Sequence, residues 1–254
     1  MYRGVYTAAM GMLADVTKMD VLSNNLANVE TNGYKADTPV FRAYLTREIY
    51  RIKPEPENRR VEFSKVGDVE QAIIVDEIRT HYAQGIIEQT NIPTHLAING
   101  EGFFAVRKGN EVLYTRNGEF IANSNRQLVN TQGYYLLDSN GQIVTLPENG
   151  YIDESGNVYD ANRNIVSRIA IYTLQNPRKM GETLFTGQAE IVNVDDPNSN
   201  VRILQGYVEK SNVNVVREMV KLIEAQRHYD ATSKAIVVHD ELLNKVINNV
   251  GALR

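Results

Sequence analysis

Met1-Tyr-Arg-Gly-Val-Tyr-Thr-Ala-Ala-Met-Gly-Met-Leu-Ala-Asp-Val-Thr-Lys-Met-Asp-Val-Leu-Ser-Asn-Asn-Leu-Ala-Asn-Val29 opens the chain. Within it Met1, Val5, Ala8, Met12, Asp15, Met19, Leu22, Leu26 and Val29 recur at alternating spacings of four and three, with Asp15 the one polar member. That is the spacing of a heptad seam, and it predicts an amphipathic helix. At 1.5 Å per residue the helix runs about 44 Å. Asn32-Gly33 supplies a left-handed residue to stop it.

The other end repeats the pattern. Met219, Leu222, Gln226, Tyr229, Ser233, Ile236, Asp240, Leu243, Ile247 and Val250 line one face, and Val216, Val220, Ile223 and Val237 widen its apolar stripe. Ser211, Asn212 and Asn214 are all acceptable N-caps, so the helix is expected from about Asn214 to Val250.

Between the ends the period falls to two. Short alternating or apolar runs cover Ala72–Arg79, Leu96–Ile98, Phe103–Val106, Val112–Thr115, Phe120–Ala122, Tyr134–Leu137, Ile143–Leu146, Ile165–Leu174 and Ile191–Val194. Asn99-Gly100, Asn117-Gly118, Asn140-Gly141 and Asn149-Gly150 punctuate them as tight-turn signals. The middle therefore reads as an antiparallel, hairpin-rich β domain. Residues 51–70 are polar and proline-bearing and read as an extended linker or loop; Phe41–Ile52 fits helix or strand equally. The expected class is α+β, with terminal helices at 1–33 and 212–254, an extended linker region at 34–70 and a β-rich domain at 71–211. A lone amphipathic helix is marginal in water, so the two helices are expected to pair with each other or with copies of themselves.

Composition excludes much else. The 254-residue chain has no cysteine, which removes disulfides, thiolate nucleophiles and Cys-ligated metals. Its formal charge of −4 is a poor start for neutralising phosphates, so no nucleic-acid partner is expected. No run of about eighteen apolar residues occurs, nor a basic-then-apolar leader, so neither membrane insertion nor a cleavable signal is expected.

Candidate chemistry is sparse. Gly100-Glu-Gly102-Phe-Phe-Ala105 fits a loose dinucleotide fingerprint, but it runs on into a strand where that motif needs a helix. His81, His95, His228 and His239 lack the spacing of a helical metal pair and read as surface or interface residues. The acid pairs Asp153-Glu154, Asp195-Asp196 and Asp240-Glu241 point apart along an element, and no Gly-x-Ser-x-Gly elbow is present. Asp153–Asn164 lacks the glutamate that ends a calcium loop and reads as a turn cluster. No enzyme, cofactor or metal is expected. On the residues alone, the reading is a β-domain binding module with helical oligomerisation ends.

Leu22-Ser-Asn-Asn-Leu-Ala-Asn-Val-Glu-Thr-Asn-Gly-Tyr-Lys35 closely resembles the N-terminal signature of the bacterial flagellar rod and hook proteins. Leu96–Val106, Tyr114–Phe120, Gln127-Leu-Val with Gly133-Tyr134, Gln205–Val216, Glu218-Met-Val and Ile223–Tyr229 follow in the order the family has them. The resemblance implies an axial subunit whose terminal helices pair as a coiled-coil-like inner domain around a central channel, with the β domain outside. It implies a hollow helical tube carrying torque from motor to hook. The implied partners are copies of this chain, other rod proteins, the hook protein, the type III export apparatus and the surrounding basal-body rings. The implied location is the rod of the flagellar basal body in the cell envelope. The block Ser211–Tyr229 is most similar to distal members; the opening Met1–Ala8 and the divergent segment 51–70 are similar to proximal ones.

Subunit contacts are then expected from Val5, Met12, Met19, Leu22, Leu26, Val29, Met219, Leu222, Gln226, Tyr229, Ile236, Leu243 and Ile247 on the seams. Asn24 and Asn28 share a helix face and could bond a neighbouring chain, with helix capping as the alternative.

Overall fold

The computed structural model describes residues 2–44, 46–54, 61–70, 72–194 and 200–251. Met1, residues 55–60 of the expected linker, the acid pair Asp195-Asp196 and the side chain of Val250 lie outside the described residues. Helix α1 (Tyr2–Ala27) opens the chain and α2 (Val215–Gly251) closes it. Between them run β1 (Asp37–Ala43), β2 (Thr46–Pro54), β3 (Val61–Glu70), β4 (Ile73–Thr80), β5 (Ile87–Gln89) and β6 (Leu96–Asn99). Next come β7 (Phe103–Lys108), β8 (Glu111–Thr115), β9 (Phe120–Ala122), β10 (Leu128–Asn130), β11 (Tyr135–Leu136) and β12 (Tyr151–Ile152). The last are β13 (Asn157–Tyr159), β14 (Ile165–Arg168), β15 (Ile171–Lys179), β16 (Leu184–Val192), β17 (Arg202–Gln205) and β18 (Tyr207–Glu209). The class is α+β, as expected.

The chain forms two compact units. The first comprises residues 1–24, 37–79 and 216–254. In it β1 pairs with β4 and β2 with β3, so the segment expected as linker or loop contains paired strands. Arg51-Ile-Lys53 lies opposite Glu62-Phe-Ser64 in an antiparallel ladder. The linker reading failed because polar residues can alternate across a solvated hairpin without leaving an apolar period. Phe41–Ile52, which fitted helix or strand, is mostly strand.

The second unit comprises residues 25–36 and 80–215. Its largest sheet runs β15-β16-β8-β7-β11-β10-β9, and β15 also pairs with β7, so β7, β8, β16 and β15 close on themselves. Leu96, Ile98, Phe104, Val106, Phe120, Leu128, Leu136, Ile169, Ile171 and Ile203 are among the side chains packed into its core. A smaller cluster gathers Phe103, Leu174 and Phe185 with Tyr82 against them.

One turn recurs five times here. The side-chain Oδ1 of Asn123, Asn130, Asp138, Asp153 and Asp160 accepts the backbone N–H two and four residues on, at 2.8–3.0 Å. The residue three on has positive φ in every case: Arg126, Gly133, Gly141, Gly156 and Arg163. The side chain thus replaces the strand partner the backbone loses on reversing direction. The expected turn cluster at Asp153–Asn164 is two of these turns in succession. Asn140-Gly141 lies in a third, whereas Asn99-Gly100 and Asn117-Gly118 join strands that do not pair with each other.

Helix α1 ends at Ala27, earlier than Asn32-Gly33 suggests. Gly33 serves a different purpose. Its φ is +72°, its N–H donates to Glu209 O at 2.7 Å, and a Cβ there would lie 2.3 Å from the backbone N of Asn117. Helix α2 begins one residue after Asn214, which takes the N-cap position, and Glu218 in its first turn favours the helix dipole.

Candidate functional site

The first unit holds most of both long helices, and each has a covered and an open face. On α1, Val5, Ala8, Met12, Asp15, Met19, Leu22 and Leu26 are all half-buried or buried, which follows the predicted stripe. Tyr6, Leu13 and Val16 face solvent. Asp15 Oδ2 lies 2.6 Å from Nδ1 of His228 on α2. Asp15 breaks the apolar spacing, and the partner explains why.

On α2 the covered stripe is Glu218, Leu222, Ala225, Tyr229, Thr232, Ser233, Ile236, His239 and Leu243. Of the expected seam, Leu222, Tyr229, Ile236 and Leu243 are on this face, but Met219, Gln226 and Ile247 are exposed. The stripe is rotated: the column containing Glu218, Ala225, Thr232 and His239 replaces the one containing Met219, Gln226 and Asp240. With the Leu222 column kept, the face turns by about 60°, less than the 100° between neighbouring residues, and still covers an alternating four-three spacing. Spacing therefore gives the period without the face. The open side carries Val216, Met219, Val220, Ile223, Val237, Val238, Leu242, Val246 and Ile247.

The second unit resolves the roles of the Asn-rich signature. Asn25, not singled out as a contact, is buried and its Oδ1 accepts from Tyr34 Oη at 3.1 Å. Asn28 is only 6% exposed and its Oδ1 accepts from Thr31 Oγ1 at 3.1 Å. Asn28 is thus buried within its own chain, where its bond to Thr31 joins two side chains. Asn24 is exposed, and Val29 lies half-buried beyond the helix end.

The end of the signature leads into a buried charge cluster. Lys35 Nζ donates to Glu209 Oε1 at 2.6 Å and to Ala83 O at 2.8 Å. Glu209 Oε1 also accepts the Gly85 N–H at 2.9 Å, and Glu209 Oε2 faces Arg116 Nε at 3.4 Å. Burial lowers the pKa of Lys35 and Arg116, while Glu209 opposes the fall in both. Asn212 completes the knot: its Oδ1 accepts the Ala36 N–H at 2.8 Å and its Nδ2 donates to His81 O and Ala83 O. The loop after α1 and the strand before α2 are thus tied through residues 81–85. Lys35 and Glu209 lie in stretches that carry the resemblance, yet nothing in the sequence signals their pairing.

Gly100–Ala105 does continue into strand β7. Among the described residues no three His, Asp or Glu side chains are placed to hold a metal ion, and no helix is long and apolar enough to cross a membrane.

Comparison with known proteins shows the family. Residues 5–35 match the family described as "Flagella basal body rod protein", and residues 204–249 match "Flagellar basal body rod FlgEFG protein C-terminal". The chain is 33% identical to the flagellar basal-body rod protein FlgG of Borreliella burgdorferi, over 98% of this chain and 99% of that one. It is 30% identical to FlgG of Buchnera aphidicola subsp. Baizongia pistaciae, over 97% and 99%. It is also 28% identical to the flagellar hook-basal body complex protein FlhO of Bacillus subtilis, over the full length of both. The class is therefore a structural protein of the bacterial flagellum and not an enzyme. The chain belongs to the flagellar basal-body rod protein family, and its place is the flagellar basal body.

Proposed function

We propose that this chain is an axial subunit of the distal rod that stacks with its own copies into a hollow helical tube and transmits torque from motor to hook. The observation that carries this reading is the open apolar face on each terminal helix: Tyr6, Leu13 and Val16 on α1, and the row from Val216 to Ile247 on α2. Fully burying one such side chain contributes about 1.5–3 kcal/mol, so covering them in a polymer is strongly favourable. Likeness to FlgG rod proteins over nearly the whole chain supports a distal subunit over a proximal one.

In this reading the covered stripes of α1 and α2 pair as a coiled-coil-like inner domain lining the channel. The β-rich unit contributes the outer layer of the tube. Met219, Gln226, Ile247 and Asn24 contact neighbouring subunits together with the open apolar row. Val5, Met12, Met19, Leu22, Leu26, Leu222, Tyr229, Ile236 and Leu243 act within the subunit. Other rod proteins and the hook protein adjoin the tube, the basal-body rings surround it, and the chain reaches the rod through type III export.

The test is the double substitution Val238→Asp with Leu242→Asp. Both side chains are more than half exposed, so the subunit is expected to fold and be exported. Two buried charges at a subunit contact are expected to abolish rod incorporation. Wild-type motility of cells carrying that variant would remove the open face of α2 from the assembly.

A further inference from the structure

Five Asn-Gly pairs occur in the chain, and the fold treats them unequally. An asparagine before a glycine is open to attack on its side-chain amide by the glycine backbone nitrogen, because glycine has no side chain to obstruct the approach. The attack needs a backbone free to bring amide and nitrogen together, and a nitrogen able to give up its proton.

Four of the pairs are pinned. Asn32 Nδ2 donates to Glu119 Oε2 at 3.0 Å, and the Gly33 N–H donates to Glu209 O at 2.7 Å. Asn117 is buried, and its Oδ1 accepts the Glu119 N–H at 2.9 Å. The Asn99 side chain is exposed, but its backbone is fixed in β6 opposite Arg202 and the Gly100 N–H donates to Gln84 Oε1 at 3.2 Å. Asn140 is exposed too, inside an Asx turn: Asp138 Oδ1 accepts the N–H groups of Asn140 and Gln142, both at 2.8 Å, and Asp138 O accepts that of Gly141 at 3.1 Å. The Asp138 carboxylate in this turn also opposes a negative charge developing on the Gly141 nitrogen.

Asn149-Gly150 is the pair held least. Asn149 is exposed at a φ of +58°, and its side chain makes no hydrogen bond among the described residues. The Gly150 N–H has one bond, to Pro147 O at 3.1 Å within the turn. The neighbouring Glu148 carboxylate is 85% exposed, where water screens it, and faces Arg126 at 3.6 Å. A Cβ at position 150 would lie 2.6 Å from Tyr159 O, so the turn needs its glycine and keeps the reactive pair.

We propose that Asn149 is a site of spontaneous deamidation, a covalent change that accumulates with the age of the folded chain. The Gly150 nitrogen loses its proton and bonds to the Asn149 side-chain carbonyl carbon, while the amide nitrogen takes up a proton and leaves as ammonia. One water then opens the resulting cyclic imide. Opening at one carbonyl gives an aspartyl residue; opening at the other gives an isoaspartyl link, with an extra atom in the backbone. Either product adds a carboxylate to the turn, and the isoaspartyl link displaces the start of β12, where Tyr151 stacks on Tyr159 at 4.8 Å.

The purified full chain is incubated folded in warm, mildly alkaline buffer and, in parallel, in urea. Each Asn-Gly peptide is followed by mass spectrometry and by labelling with an isoaspartyl methyltransferase. Reading each rate against the same peptide in urea removes differences in flanking sequence. On that scale Asn149 is expected to react at least about fivefold faster than any other pair, the factor set by one further hydrogen bond to break. Asn149→Gly, which keeps the left-handed turn, is expected to remove most of the ammonia released by the folded chain. Another pair reacting first in the folded chain, an intact Asn149 after its urea counterpart has converted, or unchanged ammonia release from the variant overturns the proposal.

Discussion

Removing one member of the buried charge cluster gives a prediction whose size follows from the geometry. Lys35 and Glu209 side chains are 1% and 0% exposed and meet at 2.6 Å. Breaking a buried ion pair by truncating one partner costs about 3–5 kcal/mol, because the other charge stays buried. Lys35→Met belongs at the lower end: Glu209 keeps Arg116 and the Gly85 N–H, and Ala83 O keeps the Asn212 amide. Glu209→Gln belongs at the upper end, since it takes away the buried anion that Lys35 and Arg116 share. Either loss is a large share of the roughly 5–15 kcal/mol that holds a domain folded. The double variant is expected to lose less than the two single losses added, by about 0.5–3 kcal/mol, because it removes opposite charges together. Urea unfolding followed by far-UV circular dichroism and tyrosine fluorescence measures all four proteins by linear extrapolation. A Lys35→Met loss below about 1 kcal/mol, or single losses that add within about 0.5 kcal/mol, would show that the cluster does not hold the knot together.

The knot, the turns and the acid dependence each allow a further test. Gly33→Ala sets a Cβ 2.3 Å from the Asn117 backbone N at a φ of +72°, so backbone must move, and a loss of about 2–4 kcal/mol is expected in the same urea assay. Arg163 is held at a φ of +64°. Arg163→Gly relieves a left-handed cost of about 1–2 kcal/mol and adds about 0.5–1 kcal/mol of unfolded-state entropy, so a gain of up to about 1.5 kcal/mol is expected from thermal melts. The Asp160 carboxylate is held below its ordinary pKa, first by the Asn164 backbone N–H and also by donors from Asn162. Its stabilising contribution is therefore present above the unfolded carboxylate value and lost as pH falls through the depressed folded value. Melting temperatures of Asp160→Asn and wild type compared from neutral to acid pH should converge at the acid end; a constant difference would refute the assignment.

The Asx turns show where local signals suffice. Every bond they make lies within five consecutive residues, so their hydrogen-bonding logic is written locally. Asn-Gly pairs mark them only partly, because the signal is Asn or Asp followed three positions later by a residue with positive φ. At Arg126 and Arg163 that residue is arginine, which gives no such signal. The 51–70 hairpin was illegible for the opposite reason: strand pairing with a solvated partner leaves little apolar alternation to detect.

The sequence by itself determined two amphipathic terminal helices, an antiparallel β middle and, through motifs at both ends and the centre, a likeness to flagellar rod proteins. These properties are local, since period, turn chemistry and motif spacing are fixed by residues close along the chain. Tertiary structure alone decided which side of α2 is covered, because the adjacent columns through Met219 and Glu218 share the same period. It also decided that Asn28 turns inward and that Lys35 meets Glu209 across 174 positions of sequence. A charge pair at that separation leaves no local pattern, and only packing around residues 81–85 brings the loop after α1 and the strand before α2 together.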